Sequence, residues 1–303
     1  MSPVSHIGAA QAGETGAAQA AQLAQLPQLR AFVPQGMPWH PLQGGKTNLL
    51  WRVGDVVVKL YSQPGANPLF PNQPDAEIVA LQALNGRGLA PQFLGQAATP
   101  LGRCVVYRHM PGQPGSAGPA QVAALLARLH QQPRPAQNLR QVSASAGALM
   151  ASAQAILAMC RDRAAFSEPP DMGPAVAMPL PAPVFLHGDP VPANIVQAPH
   201  APHAPHGPCL IDWQCPGWGH AAHDLAIYLS AAMQLLYQGH PLPRQAQAQV
   251  LAAYPDAAAV AHYRALRPLF AWRMAAYCQW RLEQGQADYA AARDAELASL
   301  VQD

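Results

Sequence analysis

The chain has 303 residues, half of them hydrophobic and only 11% charged, which suffices for one large core or two lobes and lies well below the roughly 25% charge of an average soluble protein. A formal net charge of +2 excludes the strong positive field that recruits nucleic acid or an anionic membrane surface. Five scattered cysteines without a C-x-x-C pair exclude a disulfide framework and suit reduced thiols in a cytoplasm.

Residues 1–22 are mostly Ala, Gln and Gly and read as a flexible tail. No basic stretch followed by an apolar run, the pattern of a secretory leader, occurs in the first 30 residues. From Gln22, QLAQLPQLRAF reads as a short amphipathic helix interrupted by Pro27. TNLLWRV and VVVKLY are β-branched runs on either side of Gly54-Asp55, the signature of a hairpin. Ahead of them, QGGKTN is a turn whose glycines let backbone N–H groups approach a ligand. Asp75 to Leu84 has helical spacing, with Gly86 and Gly88 as stop signals. Phe93-Leu94 and Arg103 to Tyr107 are the next strand candidates. PGQPGSAGP at 111–119 is a linker, placing an N-lobe over 23–112 and a C-lobe over 113–303. Helices are expected at Gln121–His130 and Ala146–Arg161, followed by a Pro-rich loop over 168–183. VFLHGD and CLIDW then bracket a Pro/His-rich insert, and nearly everything from Asp224 onward reads as helix. This order predicts an α+β protein of two lobes, the first small and β-rich, the second mostly helical with one short β element. The apolar run from Met178 to Leu186 is too short and Pro-rich to span a bilayer, so the expectation is a soluble cytoplasmic protein without a membrane or nucleic-acid partner.

The sharpest segment is HGDPVPANIV at 187–196, followed by LIDW at 210–213. Asp189 and Asn194 put a carboxylate and an amide on one compact loop, and Asp212 leaves a second strand about one hairpin later. Oxygen ligands of this kind suit Mg²⁺, and a carboxylate that is not a ligand is free to accept a proton from a hydroxyl. The plain alternative is a polar turn, since Asp and Asn favour turns. The downstream GWGHAAHDLA at 217–226 argues for the chemical reading.

These segments together resemble the catalytic core of the aminoglycoside phosphotransferase and choline kinase group, whose motifs run H-G-D-x-x-x-x-N, I-D-W/F-E and G-x-x-x-x-D-L-A. LQGGKTNLLWRVGDVVVKLY resembles the phosphate loop and ATP-lysine strand of choline- and thiamine-kinase relatives, and QVAALLARLH resembles their L-x-x-L-H helix. The likeness covers about residues 40–300 and implies a protein-kinase-like fold that uses ATP and Mg²⁺ on a small molecule. It implies that Asp189 orients the acceptor hydroxyl and takes its proton, and that Asn194 and Asp212 hold Mg²⁺. Lys59, paired with Glu77, would contact the phosphates, which Gly44, Gly45, Thr47 and Asn48 would cover. Backbone groups from Tyr107, Arg108, His109 and Met110 would receive the adenine, and His187 and Asp224 would brace the loop. Composition supports part of this independently: Lys59 is one of only two lysines, and Glu77 is the only Glu between Glu14 and Glu168. The chain departs from the group's pattern at Val191, where relatives often have His, and at Gln214, where an acid often follows. Pro190 and Pro192 stiffen the same loop.

Weaker features have bland readings beside them. His200, His203 and His206 recur at three-residue spacing, which suits metal binding but equally a slipped tripeptide repeat. Cys209 and Cys215 flank Asp212, yet isolated thiols of this kind are usually inert. In FAWRMAAYCQWRLEQG, residues Trp272, Tyr277 and Trp280 fall near one helical face. Core packing is the default account of such a face. The functional account, extended to Trp213 and Trp218 near the Asp212 motif, is an aromatic surround for a cationic acceptor. Few carboxylates are available for a polycation. The expected acceptor is therefore a small amine-bearing alcohol such as choline, ethanolamine or thiamine, with an aminoglycoside or sugar as the rival. A non-catalytic nucleotide-binding protein is the rival from another class, disfavoured by the complete set Lys59, Glu77, Asp189, Asn194 and Asp212.

Overall fold

The structure is a computed structural model that describes residues 16–42, 47–61, 67–166, 168–173, 179–197 and 207–301. The chain divides into two compact units, one formed by residues up to 66 together with 72–110, the other by 67–71 and 111 onward. The α+β reading holds, with strands dominating the first unit and helices the second.

The first unit is built on a five-stranded sheet in the order β1-β2-β3-β5-β4. Its strands are β1 (Trp39–Pro41), β2 (Leu49–Val53), β3 (Val56–Tyr61), β4 (Phe93–Thr99) and β5 (Gly102–Arg108), and all neighbours are antiparallel. The run VVVKLY is apolar nearly throughout because β3 is the central strand, buried at every position. Gly54, at φ 62°, supplies the left-handed backbone that the tight β2–β3 turn needs. Helix α1 (16–24) and a 3₁₀ turn at Pro27–Leu29 precede the sheet. Ala20, Leu23, Leu29 and Val33 share one core with Trp51, Val58, Leu60 and Val106. The tail expected over 1–22 is thus corrected: from residue 16 the chain is helical and buries apolar groups, because alanine serves both as a helix former and as a small core residue. The packing is close, since a Cβ on Gly95 would lie 2.2 Å from the Phe32 ring. Helix α2 (Pro74–Ala83) begins with Pro and carries Asp75 and Glu77 in its first turn, both favoured at a helix start.

The second unit holds helices α3 (Pro119–His130), α4 (Ala146–Ala158), α5 (Ala222–Leu229), α6 (Ala231–Gln238), α7 (Arg244–Ala253), α8 (Ala257–Glu283) and α9 (Tyr289–Leu300). It also contains more β structure than the sequence suggested. Strands β6 (Gln113–Pro114), β9 (Ile195–Gln197) and β10 (Pro208–Leu210) form one small sheet, and β7 (Arg140–Val142), β8 (Val184–Leu186) and β11 (Gly217–Gly219) form another. These strands of two or three residues lie below the length at which periodicity is readable. Asp256 caps α8, accepting from the amides of Ala258 at 2.9 Å and Ala259 at 3.1 Å. The helix then passes through Pro268 without ending, and packs against α4 and α9 around Ile156, Met274, Ala275, Cys278 and Ala292. All five cysteines are buried, and no described helix is long and apolar enough to cross a membrane. The insert with His200, His203 and His206 lies outside the described residues, as do Gly44 and Gly45.

Candidate active site

The loop between β8 and β9 carries the HGDPVPAN segment. Pro192 opens a 3₁₀ turn that ends at Asn194, where its fixed φ costs nothing. The Val191 amide donates to the Asp189 carbonyl, and the Asn194 amide to the Val191 carbonyl, both at 2.9 Å. This winding brings Asn194 back onto Asp189: its Nδ2 donates to the Asp189 carbonyl at 2.9 Å and to Asp189 Oδ2 at 3.3 Å. With Nδ2 so committed, the Asn194 Oδ1 accepts no hydrogen bond from the described residues. The Ile211 amide donates to the Asn194 carbonyl at 2.9 Å, which joins β10 to the loop just before Asp212. Asp212, at φ 61°, is the one described non-glycine residue with a left-handed backbone, a conformation that costs about 1–2 kcal/mol.

Asp212 and the Asn194 Oδ1 are hard oxygen donors, and such a pair fits Mg²⁺, which keeps much of its shell for water and phosphate. No cluster of three or more His, Cys, Asp or Glu able to hold a metal occurs among the described residues. An ion here would depend on oxygens from a ligand as well as from the chain.

Behind the loop stands Asp224, fully buried in the first turn of α5. Its Oδ2 accepts from the His187 amide at 2.8 Å, its Oδ1 from the Gly188 amide at 2.9 Å, and His130 Nε2 lies 3.1 Å from Oδ2. Burial alone pushes its pKa up. The His130 hydrogen bond, the fields of His130 and His187 and the Gly188 amide outweigh burial, so the carboxyl sits below its ordinary range. His130 in turn meets the Tyr254 hydroxyl at 2.6 Å. The His187 ring, which burial holds below its usual pKa, contacts the Ile211 carbonyl at 3.0 Å. His187 and Asp224 thus hold backbone groups, the bracing that the family resemblance implies.

One residue that the sequence did not single out, Arg140, completes this support together with Gly188 of the same motif. Arg140 on β7 donates from Nη2 to the Cys215 carbonyl at 3.0 Å, and Gly188 packs on that same carbonyl. At φ 79°, a Cβ on Gly188 would lie 2.1 Å from Cys215 O. Gly188→Ala is therefore expected to cost about 3 kcal/mol or more, from backbone strain and overpacking together, measured by urea unfolding against wild type.

In the first unit, Lys59 and Glu77 are each 1% exposed, and Lys59 Nζ lies 3.0 Å from Glu77 Oε2. Glu77 also accepts from the Tyr61 hydroxyl. A buried ammonium needs such a partner to stay charged. The Asn48 side-chain amide forms a reciprocal pair with Asn72, at 2.8 and 2.9 Å, just ahead of α2. Thr47 is exposed. Of the residues expected to receive adenine, Tyr107 lies within β5 with its side chain buried. The Arg108 amide donates to Gln92 O at 2.9 Å and the His109 amide to Asp55 O at 2.7 Å. Among the described residues only Met110 of these four keeps its backbone donor outside such pairing.

The aromatic candidates separate. Trp213 is 0% exposed, donates from Nε1 to Leu210 O at 2.9 Å, and packs 4.4 Å from the His187 ring. It supports the loop and cannot line an acceptor site, because a large apolar ring beside a strand end is drawn into the core. Trp272 is likewise core, 5.9 Å from Phe166. Trp218 is half-buried against Arg134. Tyr277 and Trp280 do adjoin, at 5.9 Å, in a cluster with Phe70, Tyr237 and Tyr289 that packs against Val191 and Ala193 of the loop. Tyr237 was not read from the sequence. Burial first, then the negative fields of Asp189 and its neighbours, keeps its hydroxyl far above its ordinary pKa and so protonated. Arg281 lies over the rings of Trp280 and Tyr289, at 5.7 and 5.3 Å.

The sequence pattern of the phosphotransferase enzyme family matches residues 38–269. No curated protein matches the chain. Among solved structures, a choline/ethanolamine kinase family protein from Mesorhizobium loti is similar, with TM-score 0.63 and 19% identity over 93% of each chain. The choline kinase LicA from Streptococcus pneumoniae has TM-score 0.57 and 18% identity over 87% of this chain and 94% of its own, and LicA has also been solved in complex with AMP. Aminoglycoside 2'-phosphotransferase-IIIa, as its GDP complex, has TM-score 0.56 and 16% identity over 86% of this chain and 91% of its own. At these identities the likeness is one of fold.

Proposed function

Since the chain belongs to the phosphotransferase enzyme family and is a phosphotransferase with a hydroxyl acceptor, we propose that it moves the γ-phosphate of ATP onto a small amine-bearing alcohol. The observation that carries this reading is the wound loop in which Asn194 holds Asp189 by both its carbonyl and its carboxylate. Asp189 orients the acceptor hydroxyl and takes its proton at a carboxylate oxygen, a role within reach of a positioned general base. Lys59, kept charged by Glu77 in a buried pair, supplies a fixed ammonium for the nucleotide phosphates. The Met110 backbone receives the base. Mg²⁺, held by Asp212 and Asn194 Oδ1, neutralises charge on the phosphates when bound. The likeness to LicA and to the 2'-phosphotransferase, both solved with nucleotides, supports nucleotide binding.

The acceptor's amine is supported by the negative fields of Asp189 and Asp212, which act together on the Tyr237 hydroxyl and would attract a cation at the same place. A neutral sugar is the second reading, favoured by Arg281, which covers the rings of Trp280 and Tyr289 and repels a further positive charge there. The test is ADP release from Mg·ATP with choline, ethanolamine, thiamine, glucosamine, glucose and an aminoglycoside. Turnover on an amine-bearing member is expected. Turnover on glucose alone would select the second reading, and failure to bind ATP would overturn both.

A further inference from the structure

The second unit buries a guanidinium for which the chain supplies no acceptor. Arg273, in the second half of α8, is 5% exposed and makes no hydrogen bond or ion pair among the described residues. Its Nε is a fully buried donor without a partner. Its neighbour is an aromatic ring: Cζ stands 5.4 Å from the centroid of Phe270, one turn earlier on the same helix. A ring face attracts a cation, but it leaves the N–H donors of the fork unmet.

The surrounding charges have the same sign. Burial, then the field of Arg140, brings the Arg273 pKa down to about 9, so the group is still a cation at neutral pH. Arg140 itself is engaged with the Cys215 carbonyl. His223, on α5, is also buried, its ring 6.0 Å from the same Phe270 ring. Its Nδ1 is again a buried atom without a partner. Burial first, then the positive fields of Arg273, Arg140 and His220, holds its pKa far below the ordinary value. The ring is therefore neutral and keeps one N–H to donate. The carboxylate of α5, Asp224, is already taken by the His187 and Gly188 amides and by His130.

Buried polar groups are nearly always partnered, and a buried charge persists only beside a compensating one. Water can accept from an N–H but brings no negative charge. Arg273 offers donors alone, so the group that completes it is an anion. Few donors between packed helices suit a small monovalent ion better than a phosphate, which carries more charge and more oxygens to satisfy. We propose that Arg273 holds a buried anion of the halide class, chloride in solution, with the N–H of His223 beside it. The ion offsets the repulsion between Arg273 and Arg140, and so supports the wall from which Arg140 reaches Cys215. The proposal stands apart from the phosphoryl-transfer reading, because it is tested without nucleotide or acceptor.

Thermal unfolding of the full chain, with sodium chloride replacing sodium gluconate at constant ionic strength, tests it. Tm is expected to rise saturably, by about 3–6 °C once chloride exceeds its dissociation constant about a hundredfold. Arg273→Met should abolish the rise. Arg264→Gln, which removes an exposed charge from the same helix, should keep it. Should Arg273→Met fail to fold, crystals of the wild-type chain grown in sodium bromide decide the matter, with an anomalous peak expected in contact with the Arg273 guanidinium. No chloride-dependent rise in the wild type, a rise that persists in Arg273→Met or is lost in Arg264→Gln, or water without anomalous signal at Arg273 would each overturn it.

Discussion

Asp189→Asn is expected to lower kcat by about 10²–10⁴-fold, the usual contribution of a positioned general base, while leaving nucleotide affinity within a few-fold of wild type. The exchange is nearly isosteric. The Asn194 Nδ2 bond to the Asp189 carbonyl at 2.9 Å is unaffected by it, and an asparagine oxygen can still accept the longer bond that Oδ2 receives at 3.3 Å. The loop should therefore keep its winding while losing the group that takes the proton. An effect confined to KM would mean that Asp189 binds the acceptor without serving as base. Turnover within about threefold of wild type would mean that it does neither. Steady-state ADP release at saturating Mg·ATP, with nucleotide affinity measured separately by titration, distinguishes these outcomes.

The local elements of this site were legible because each leaves a mark within a short window. The β2–β3 hairpin showed in two β-branched runs around Gly54-Asp55, and helix α2 in its spacing and its glycine stops. The scarcity of Lys and Glu made Lys59 and Glu77 conspicuous, and they are indeed paired at 3.0 Å. What stayed illegible depends on packing across long stretches of chain. His130, Asp224 and Tyr254 form one hydrogen-bonded chain, yet His130 and Tyr254 are 124 residues apart in sequence. Arg140 supports the loop by donating to a backbone carbonyl, a bond that leaves no pattern in residue type. Trp272 reads as a candidate ligand contact because periodicity reports a shared face and not what covers it, and Trp213 because it follows Asp212, a position that says nothing of its burial. Asn48 shows the same limit, since its partner Asn72 is brought to it by the fold.

Asp224→Ala is expected to destabilise the protein by about 3–5 kcal/mol, the range for removing one partner from a buried charged network, and to lower Tm on the order of 10 °C. The carboxylate serves the amides of His187 and Gly188 and the His130 ring at once. Its loss leaves three buried donors without an acceptor, each costing about 1–3 kcal/mol. Asp224→Asn should fall between wild type and Ala, since one oxygen still accepts while the new NH₂ opposes a donor. The sign of the pH dependence follows from the depressed pKa. The ionised carboxylate contributes its full stabilisation above the ordinary value of 3.8, and that contribution is lost as pH falls through the lower folded-state value. The stability gap between wild type and Asp224→Asn should therefore be constant from neutral pH to about 4 and close below it, as followed by urea unfolding at a series of pH values. A gap that stayed open in acid would show that the cost is one of shape. Because Asp224 holds the two residues just before Asp189, activity should fall in both variants through Asp189's orientation, with kcat dropping more than the folded fraction does.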